Sequence, residues 1–438
     1  MNRAVVWFTK DLRLHDNETL CRAIDSCDEV IPLYCLDEEV FNKTTFGFQK
    51  TGPFRKKFLY ESLLDLNEQL KSLGSGLILL KGKPEVVIPE FTSKYYVGKV
   101  FTLSQFAPEE IKLQQKVESE LHKVNCQIDT FSTQSLYDKK DLPFSVAQVP
   151  EVFTSFRNKV ESKSSVRTTF NCPSNIKTPP IDATSQLELY LEINNYSFTA
   201  DSRAAMQFKG GESEGIKRLH YYLEGSHAIE TYKVTRNGLI GERYSTKFSP
   251  WLAMGCLSPR LVYHEIKKYE KQHLANESTY WVIFELLWRE FFIWMMKKHP
   301  NQYFKLNGIS NSQTLLPKND EASLLKWING ETKSDFVNAN MIELKLTGFM
   351  SNRGRQNVAS YLCNDLNLDW RYGAAYFEQQ LIDYDVSSNW CNWAYIAGVG
   401  NNPRGKSVFN IEKQANDYDS DKSYRKLWLE NVHNQLKY

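Results

Sequence analysis

The chain has 438 residues and a mass of 51.0 kDa, which is enough for two or three domains. Its 42% hydrophobic and 24% charged residues are typical of a globular protein and exclude a largely disordered chain. The 54 basic and 52 acidic side chains nearly cancel, so bulk charge does not indicate a nucleic-acid-binding protein. Because the sequence has neither a membrane-spanning apolar run nor a signal-peptide pattern, we expect a cytoplasmic protein.

Cysteine and tryptophan carry further information. The eight cysteines form no C-x-x-C pair and lie in apolar segments, which predicts reduced thiols in an intracellular protein. Nine of the ten tryptophans lie between Trp251 and Trp428. This asymmetry predicts two domains with different functions.

The first third of the chain alternates short apolar runs with amphipathic segments. The pattern predicts strands at residues 4–8, 30–35, 76–80, 99–103 and 127–131, separated by helices at 17–25, 54–73, 84–91 and 108–124. Strands separated by helices pair in parallel through right-handed crossovers, so we expect an α/β domain with a doubly wound parallel sheet over residues 1–131. No G-x-G-x-x-G follows the first strand, and the domain therefore lacks the dinucleotide fingerprint.

The remainder of the chain consists of a polar segment followed by a long segment with a helical pattern. Residues 132–203 are rich in Ser, Thr, Lys and Pro, which predicts a linker that wraps the surface, with one short helix at 149–160. From residue 204 to 438 the pattern predicts an all-α domain that includes helices at 210–224, 259–271 and 278–299. The expected cap of the last helix is Ser278 or Thr279, and we predict no strand after residue 200.

One helix face in this half combines stacking surfaces with a carboxylate. Two indoles, an acid and a phenyl ring recur there at steps of three and four residues: Trp281, Glu285, Trp288 and Phe292. A carboxylate is costly to bury without a partner, and Arg289 is the expected partner. The face is either a core helix with an internal ion pair or the wall of a pocket.

Three further segments hold dense polar side chains. Residues 348–357 place two arginines and three amides before an apolar helix, which suits either phosphate and carboxylate binding or a solvated helix start. Residues 381–395 contain Asp383 and Asp385, and because no His or Cys stands at ligand spacing we expect an arginine partner for Asp383 rather than a metal. Residues 232–260 have an excess of basic side chains and a Ser/Thr-rich turn, which either cradles a phosphate or is simply a turn.

Together these segments resemble the photolyase/cryptochrome flavoproteins over nearly the whole chain, and they are most similar to the DASH cryptochrome branch. The matching strings are WFTKDLRLHDN at 7–17, YKVTRNG at 232–238, KFSPWLA at 247–253, FMSNRGRQNVAS at 349–360, and IDYD at 382–385 with NW at 389–390. The resemblance implies an N-terminal antenna domain and a C-terminal helical domain (204–438) that holds FAD in a folded, U-shaped conformation.

The resemblance also implies a role for each matching residue around the cofactor. The positions that hold the phosphates and the ribityl chain are Tyr232, Ser245, Thr246, Lys247, Phe248 and Ser249. Around the isoalloxazine, the implied contacts are Arg289 on the flavin side, Asn352 and Arg355 beside the ring, Asp383 pairing that arginine, Asp385 at the ring edge, and Asn389 opposite flavin N5.

On the substrate side, the resemblance implies that Glu285 hydrogen-bonds a damaged pyrimidine pair, that Trp288 stacks on it and that Arg353 faces DNA, with Asn352 nearby. Gln356 and Tyr395 stand where duplex-preferring photolyases carry Met and Trp. The reduced apolar contact predicts a preference for single-stranded DNA, because extrusion of the lesion from a duplex costs more.

Two cofactor-related positions are less completely matched. Trp393 and Trp370 fit the proximal and middle tryptophans of the family's electron-transfer chain, but residues 312–320, where the outer one is expected, contain no Trp. We expect Tyr303 or another tyrosine to substitute, since Trp327 matches a separate family tryptophan. A methenyltetrahydrofolate antenna is implied at Glu109 or Glu110, although acids in a first helical turn also complement the helix dipole.

The implied function is light-driven, FAD-dependent splitting of cyclobutane pyrimidine dimers by a monomer without an obligate protein partner. The alternative is a blue-light photoreceptor that signals through its flavin redox state without repair.

Overall fold

The computed structural model describes residues 2–181, 201–310 and 316–430. In its N-terminal part a five-stranded parallel sheet has the order β3-β2-β1-β4-β5, formed by β1 (Arg3–Phe8), β2 (Glu29–Leu36), β3 (Ile78–Lys81), β4 (Lys99–Leu103) and β5 (Gln127–Phe131). The crossover helices are α1 (Glu18–Ser26), α2 (Pro53–Ser72), α3 (Pro84–Lys94) and α4 (Pro108–Lys123), and a 3₁₀ turn spans Glu38–Phe41. The predicted α/β class and parallel sheet are confirmed.

The two faces of the sheet belong to different cores. Successive side chains of a strand point to opposite faces, so Val5 and Trp7 pack against α3 and α4 in a small separate core. Val6 and Phe8 face the other way, into a larger core that is continuous with the helical half of the molecule. The sheet is therefore fixed directly against the domain that carries the candidate site.

The linker lies deeper than predicted. It contains 3₁₀ turns at Lys139–Asp141 and Val146–Gln148 and a helix α5 (Phe153–Lys163). Phe153, Phe156 and Val160 are buried in the larger core because their spacing of three and four residues forms an apolar stripe within an otherwise polar segment. The expectation of a linker confined to the surface was therefore wrong for this part, while residues 182–200 lie outside the described residues.

The remaining helices surround the larger core. They are α6 (Glu212–His220), α7 (Tyr232–Thr235), α8 (Ser249–Met254), α9 (Pro259–Gln272), α10 (Glu277–Lys298), α11 (Glu321–Asn329), α12 (Asp335–Thr347), α13 (Asn352–Ser360), α14 (Trp370–Gln380), α15 (Val386–Ala397), α16 (Ile411–Tyr418) and α17 (Ser423–Leu429). The additional turns are of 3₁₀ type at Ala228–Thr231 and Gln302–Phe304 and of π type at Tyr221–Gly225 and Tyr361–Asp365. After residue 200, strand-type pairing in the described ranges is confined to one isolated bridge, between Lys318 and Leu368.

Two helix starts differ from the prediction. Asn276, rather than Ser278 or Thr279, caps α10, and its side chain accepts hydrogen bonds from both of those backbone N–H groups. Ser351 caps α13, so the arginine-rich segment forms the first turns of that helix instead of preceding it. None of the helices described here is both long and apolar enough to cross a membrane.

A buried polar junction joins the two halves. The loop after β1 carries Arg13, whose guanidinium donates to the carbonyls of Gly255 (2.7 Å) and Thr133 (2.8 Å). In the same loop, Asp16 forms a fully buried ion pair with Arg260 at 2.6 Å. These contacts fix the N-terminal sheet relative to α9.

Candidate active site

The loop between α7 and α8 is shaped by Arg218 of α6. This buried guanidinium donates to the carbonyl oxygens of Glu242 (2.7 Å), Ser245 (3.2 Å) and Thr246 (3.0 Å). Three of the loop's carbonyls are thereby satisfied from one side. Sequence reasoning missed Arg218, because nothing in a helical arginine 24 residues before Glu242 indicates that it will reach this loop.

Lys247 is a buried lysine in that loop, with a left-handed φ of +55°. Its ammonium nitrogen lies 3.3 Å from the centroid of the Tyr244 ring and 3.4 Å from Ser245 Oγ. In the described part of the chain no carboxylate lies within ion-pair distance of it. Burial, followed by the charge of Arg218, lowers the pKa of Lys247 to about 6.

Arg355 and Asp383 form the predicted pair. Arg355 Nη2 lies 2.8 Å from Asp383 Oδ2, and the same oxygen accepts a hydrogen bond from Ser249 Oγ at 2.6 Å. The carboxylate thus connects α13, α8 and the segment before α15. Asn352 is exposed at the first position of α13.

Asp385 caps α15 through the Ser388 backbone amide (2.8 Å) and the Ser387 hydroxyl (2.7 Å). Burial alone would raise the pKa of Asp385, but the charge of Arg289 and these hydrogen bonds outweigh it, and the pKa is lowered. Arg289 itself donates to the carbonyl of Gln134 at 2.7 Å. The side chain of Arg289 therefore lies on the Asp385 side of α10.

Glu285 is paired with Arg236 of the α7 end, so the expectation of an Arg289 partner was wrong. The guanidinium of Arg236 also lies 5.6 Å from the Trp281 ring. Burial raises the pKa of Glu285, and the charge of Arg236 offsets part of that increase. Helical spacing suggested the neighbour within α10, whereas the real partner comes from a different helix.

The predicted substrate residues form two groups of contacts. Tyr395 meets Trp288 edge to face, with ring centroids 5.9 Å apart. Arg353 donates to Gln356 (2.9 Å) and to Asn237 (3.0 Å), and its guanidinium lies 4.7 Å from the Tyr418 ring. Tyr232 is buried at the start of α7, the helix that supplies Arg236.

The tryptophans predicted to transfer electrons are more deeply buried than the predicted substrate residues. Trp393 packs against Gly373, where an added Cβ would lie 2.2 Å from the indole, and Trp370 donates its Nε1–H to the Leu306 carbonyl at 3.0 Å. Asn389 donates from its amide to the Ala374 carbonyl at 3.0 Å. Residues 316–320 contain no aromatic ring, and residues 311–315 lie outside the described ranges.

The two candidate antenna acids differ in their surroundings. The Glu109 side chain is 79% exposed and pairs with Lys50 at 2.6 Å, whereas that of Glu110 is 30% exposed and pairs with Lys10 at 2.9 Å. Glu110 interacts with Asp385 and Glu109 interacts with Glu378, so both acids face the helical half. Within the described residues there is no cluster of three or more His, Cys, Asp or Glu side chains able to hold a metal ion.

Comparisons with known proteins agree with this architecture. The family model for DNA photolyase matches residues 4–175, and that for the FAD binding domain of DNA photolyase matches residues 281–437. A cryptochrome DASH of Gloeobacter violaceus is 44% identical over 97% of this chain and 85% of its own length, and one of Xenopus laevis is 46% identical over 96% and 81%. The crystal structure of a Synechocystis sp. PCC6803 cryptochrome has a TM-score of 0.93 at 41% identity, covering 99% of this chain and 90% of that chain.

The chain therefore belongs to the photolyase/cryptochrome family of flavoproteins. Within this family, its near full-length similarity is to the DASH cryptochromes. The residues present fit FAD: Lys247 is a buried amine without a carboxylate partner, and the Tyr244 hydroxyl and the Asn357 side-chain oxygen are buried without hydrogen-bond partners in the described protein. A dinucleotide with a diphosphate supplies both negative charge and polar atoms to such groups.

Proposed function

We propose that the protein is a light-driven, FAD-dependent lyase that splits cyclobutane pyrimidine dimers, preferentially in single-stranded DNA. The observation that carries this proposal is the joint placement of Glu285 and Trp288 on one surface of α10. The carboxylate is held by Arg236 from one side, and the indole is turned toward Tyr395. This arrangement offers a flat stacking surface beside a hydrogen-bonding acid, which suits an extruded pyrimidine pair.

The strand preference follows from the energy of extrusion. Flipping a lesion out of a duplex costs a few kcal/mol, and stacking on an aromatic side chain returns about 1–3 kcal/mol per base. Tyr395 is half-buried and Gln356 is already bonded to Arg353, so neither adds a large apolar surface. Flipping a lesion out of a single strand requires less free energy than flipping it out of a duplex, so single-stranded DNA is the favoured substrate.

The protein's share of the reaction is positioning and proton control. Reduced FAD, when bound, supplies the electron that opens the dimer after light absorption. Because burial raises the pKa of Glu285, this acid is suited to sharing a proton with a base that gains negative charge. Arg236 keeps the carboxyl oriented during that exchange.

We also propose that a folate antenna uses Glu110 rather than Glu109. The Glu110 side chain is the less exposed of the two and interacts with Asp385, whereas the Glu109 side chain is 79% exposed. Reconstitution with methenyltetrahydrofolate tests this, with Glu110→Gln expected to lose the bound chromophore and Glu109→Gln expected to retain it. Retention by both variants would remove Glu110 from the antenna site.

Illumination of the reduced, FAD-loaded protein with dimer-containing oligonucleotides tests the repair proposal. We expect photoproduct loss in single strands and much less in a matched duplex. No loss in either substrate would reject the lyase function and leave the photoreceptor alternative. Equal rates in both would retain repair and reject the strand preference.

A further inference from the structure

The electron-transfer chain lacks its outer tryptophan, and Trp370 therefore needs another redox neighbour. In the described ranges, the aromatic ring in contact with Trp370 is that of Trp390, with centroids 5.9 Å apart and planes at 74°. Trp390 is 4% exposed, and the same indole packs 4.9 Å from Phe304. Touching π-systems give an electron a direct route from Trp390 to Trp370.

Trp390 also has an exit for its proton. Its Nε1–H donates to the Tyr384 hydroxyl oxygen at 3.2 Å, and that hydroxyl interacts in turn with the Glu378 carboxyl. Burial raises the pKa of Glu378, so this carboxylate is a better proton acceptor than an ordinary surface acid. Glu378 is half-buried at the end of α14, which gives the proton a path to solvent.

Tyr384 is suited to transferring a proton rather than to being oxidised itself. The Arg55 guanidinium lies 4.6 Å from the centroid of the Tyr384 ring, and its positive charge opposes loss of an electron from that ring. Trp390 has no such cation over its ring in the described protein. The unpaired electron is therefore located on the Trp390 indole, and the Tyr384 phenol transfers the proton.

We propose that Trp390, with Tyr384 and Glu378, is the proton-coupled terminus of the electron-transfer chain. One electron passes from Trp390 to oxidised Trp370. The Nε1 proton of Trp390 moves to the Tyr384 oxygen while the Tyr384 hydroxyl proton moves to the Glu378 carboxylate. Trp390 becomes a neutral radical and Glu378 a neutral acid, so charge and protons balance. The first oxidant is light-excited, oxidised FAD, so the inference does not depend on the lyase function, which uses reduced FAD.

Flash photolysis of the oxidised, FAD-loaded protein tests this inference, with transient absorption and electron paramagnetic resonance identifying the radical. In the unaltered protein we expect a long-lived neutral tryptophan radical whose formation is slower in D₂O than in H₂O. Trp390→Phe should lower the yield of that radical at least tenfold. Tyr384→Phe should leave a short-lived tryptophan radical cation and abolish the isotope effect.

Two matched variants keep the test specific. Trp327→Phe removes the indole that packs against Trp393 at 6.2 Å, and Tyr303→Phe removes the hydroxyl of the tyrosine that was expected to substitute for the outer tryptophan. Both variants should keep the radical. An unchanged signal in Trp390→Phe, or its loss in Trp327→Phe or Tyr303→Phe alone, would overturn the inference. Repair by chemically reduced protein should be unaffected by Trp390→Phe, because that cycle returns its electron; this separates failure of the relay from failure of the lyase function.

Discussion

Phe153 of the linker stacks on Trp288 of α10, with ring centroids 3.7 Å apart and an angle of 11° between the planes. The linker helix α5 thus supports the indole that we assign to lesion stacking. Phe153 is buried, so one face of Trp288 is held by the protein, and the ring is preorganised for a base on its other face.

Phe153→Leu should weaken binding of a dimer-containing single strand by about three- to tenfold, because an aromatic pair contributes about 0.5–1.5 kcal/mol beyond area burial. FAD content should not change. Fluorescence anisotropy with damaged and undamaged oligonucleotides measures the effect as a ratio of affinities. Phe144→Leu is the control, because Phe144 packs against Phe156 of the same helix α5. This variant should leave the ratio of affinities unchanged.

Glu285→Ala should lower the affinity for the lesion about tenfold, as expected for a hydrogen bond worth about 1.5 kcal/mol, and should lower the repair yield while FAD stays bound. Glu277→Ala is the matched control on the same helix, since that side chain is 82% exposed in its pair with Lys233. Binding titrations and photoproduct counting give the two readouts. An unaltered yield in Glu285→Ala would show that this acid is not the lesion contact.

FAD binding should take up a proton at Lys247. Its pKa of about 6 in the ligand-free protein leaves it mostly neutral at pH 8, and a diphosphate favours the charged form. The affinity for FAD should therefore rise as the pH falls from 9 toward 7. The groups that act on Lys247 are Arg218, Glu242 and Glu343, and burial raises the pKa of Glu343 to about 7.

Calorimetry of FAD binding in two buffers of different ionisation enthalpy measures this uptake. Lys247→Met should bind FAD less tightly and lose the uptake assigned to the ammonium group, while any contribution of Glu343 persists. The same proton count in Lys247→Met and the unaltered protein would assign the titration to another residue.

Asp16→Asn should destabilise the protein by about 3–5 kcal/mol, because it leaves Arg260 buried without its counter-charge. The pair between Arg22, whose side chain is 52% exposed, and Glu18 is the comparison, and Arg22→Ala should cost less than about 1 kcal/mol. Urea unfolding followed by circular dichroism compares the two midpoints. Equal midpoints would mean that the junction does not depend on this pair.

Local patterns predicted much of this molecule. The alternating runs located all five strands, and β4 and β5 match the predicted 99–103 and 127–131 to the residue. The Arg355–Asp383 pair was also expected, because the strings at 349–360 and 382–385 resemble those of the photolyase/cryptochrome family. The strands depend on the pattern of neighbouring residues, and the ion pair depends on two sequence strings that occur together in one family.

Contacts between distant segments were not predictable in the same way. Arg218 reaches a loop, Arg236 reaches Glu285, and Phe153 reaches Trp288 only because packing of the whole chain brings them together. Helical periodicity gives the neighbours of Glu285 within α10 but contains no information about which other helix lies opposite. The wrong partner, Arg289, was therefore the one that spacing alone favours.

In open α/β sheets the crevice beyond the carboxyl ends of the strands, at the point where strand order reverses, usually receives a ligand. Here that point lies between β1 and β4. In the segment that follows β1, Asp16 binds Arg260 of α9 and Arg13 binds the turn before that helix. Cutting the chain between the halves would separate Asp16 from Arg260 and would expose the apolar surface of the core that the two halves share. We therefore expect the two halves to unfold as one cooperative unit, and we expect neither to persist as a separately expressed module.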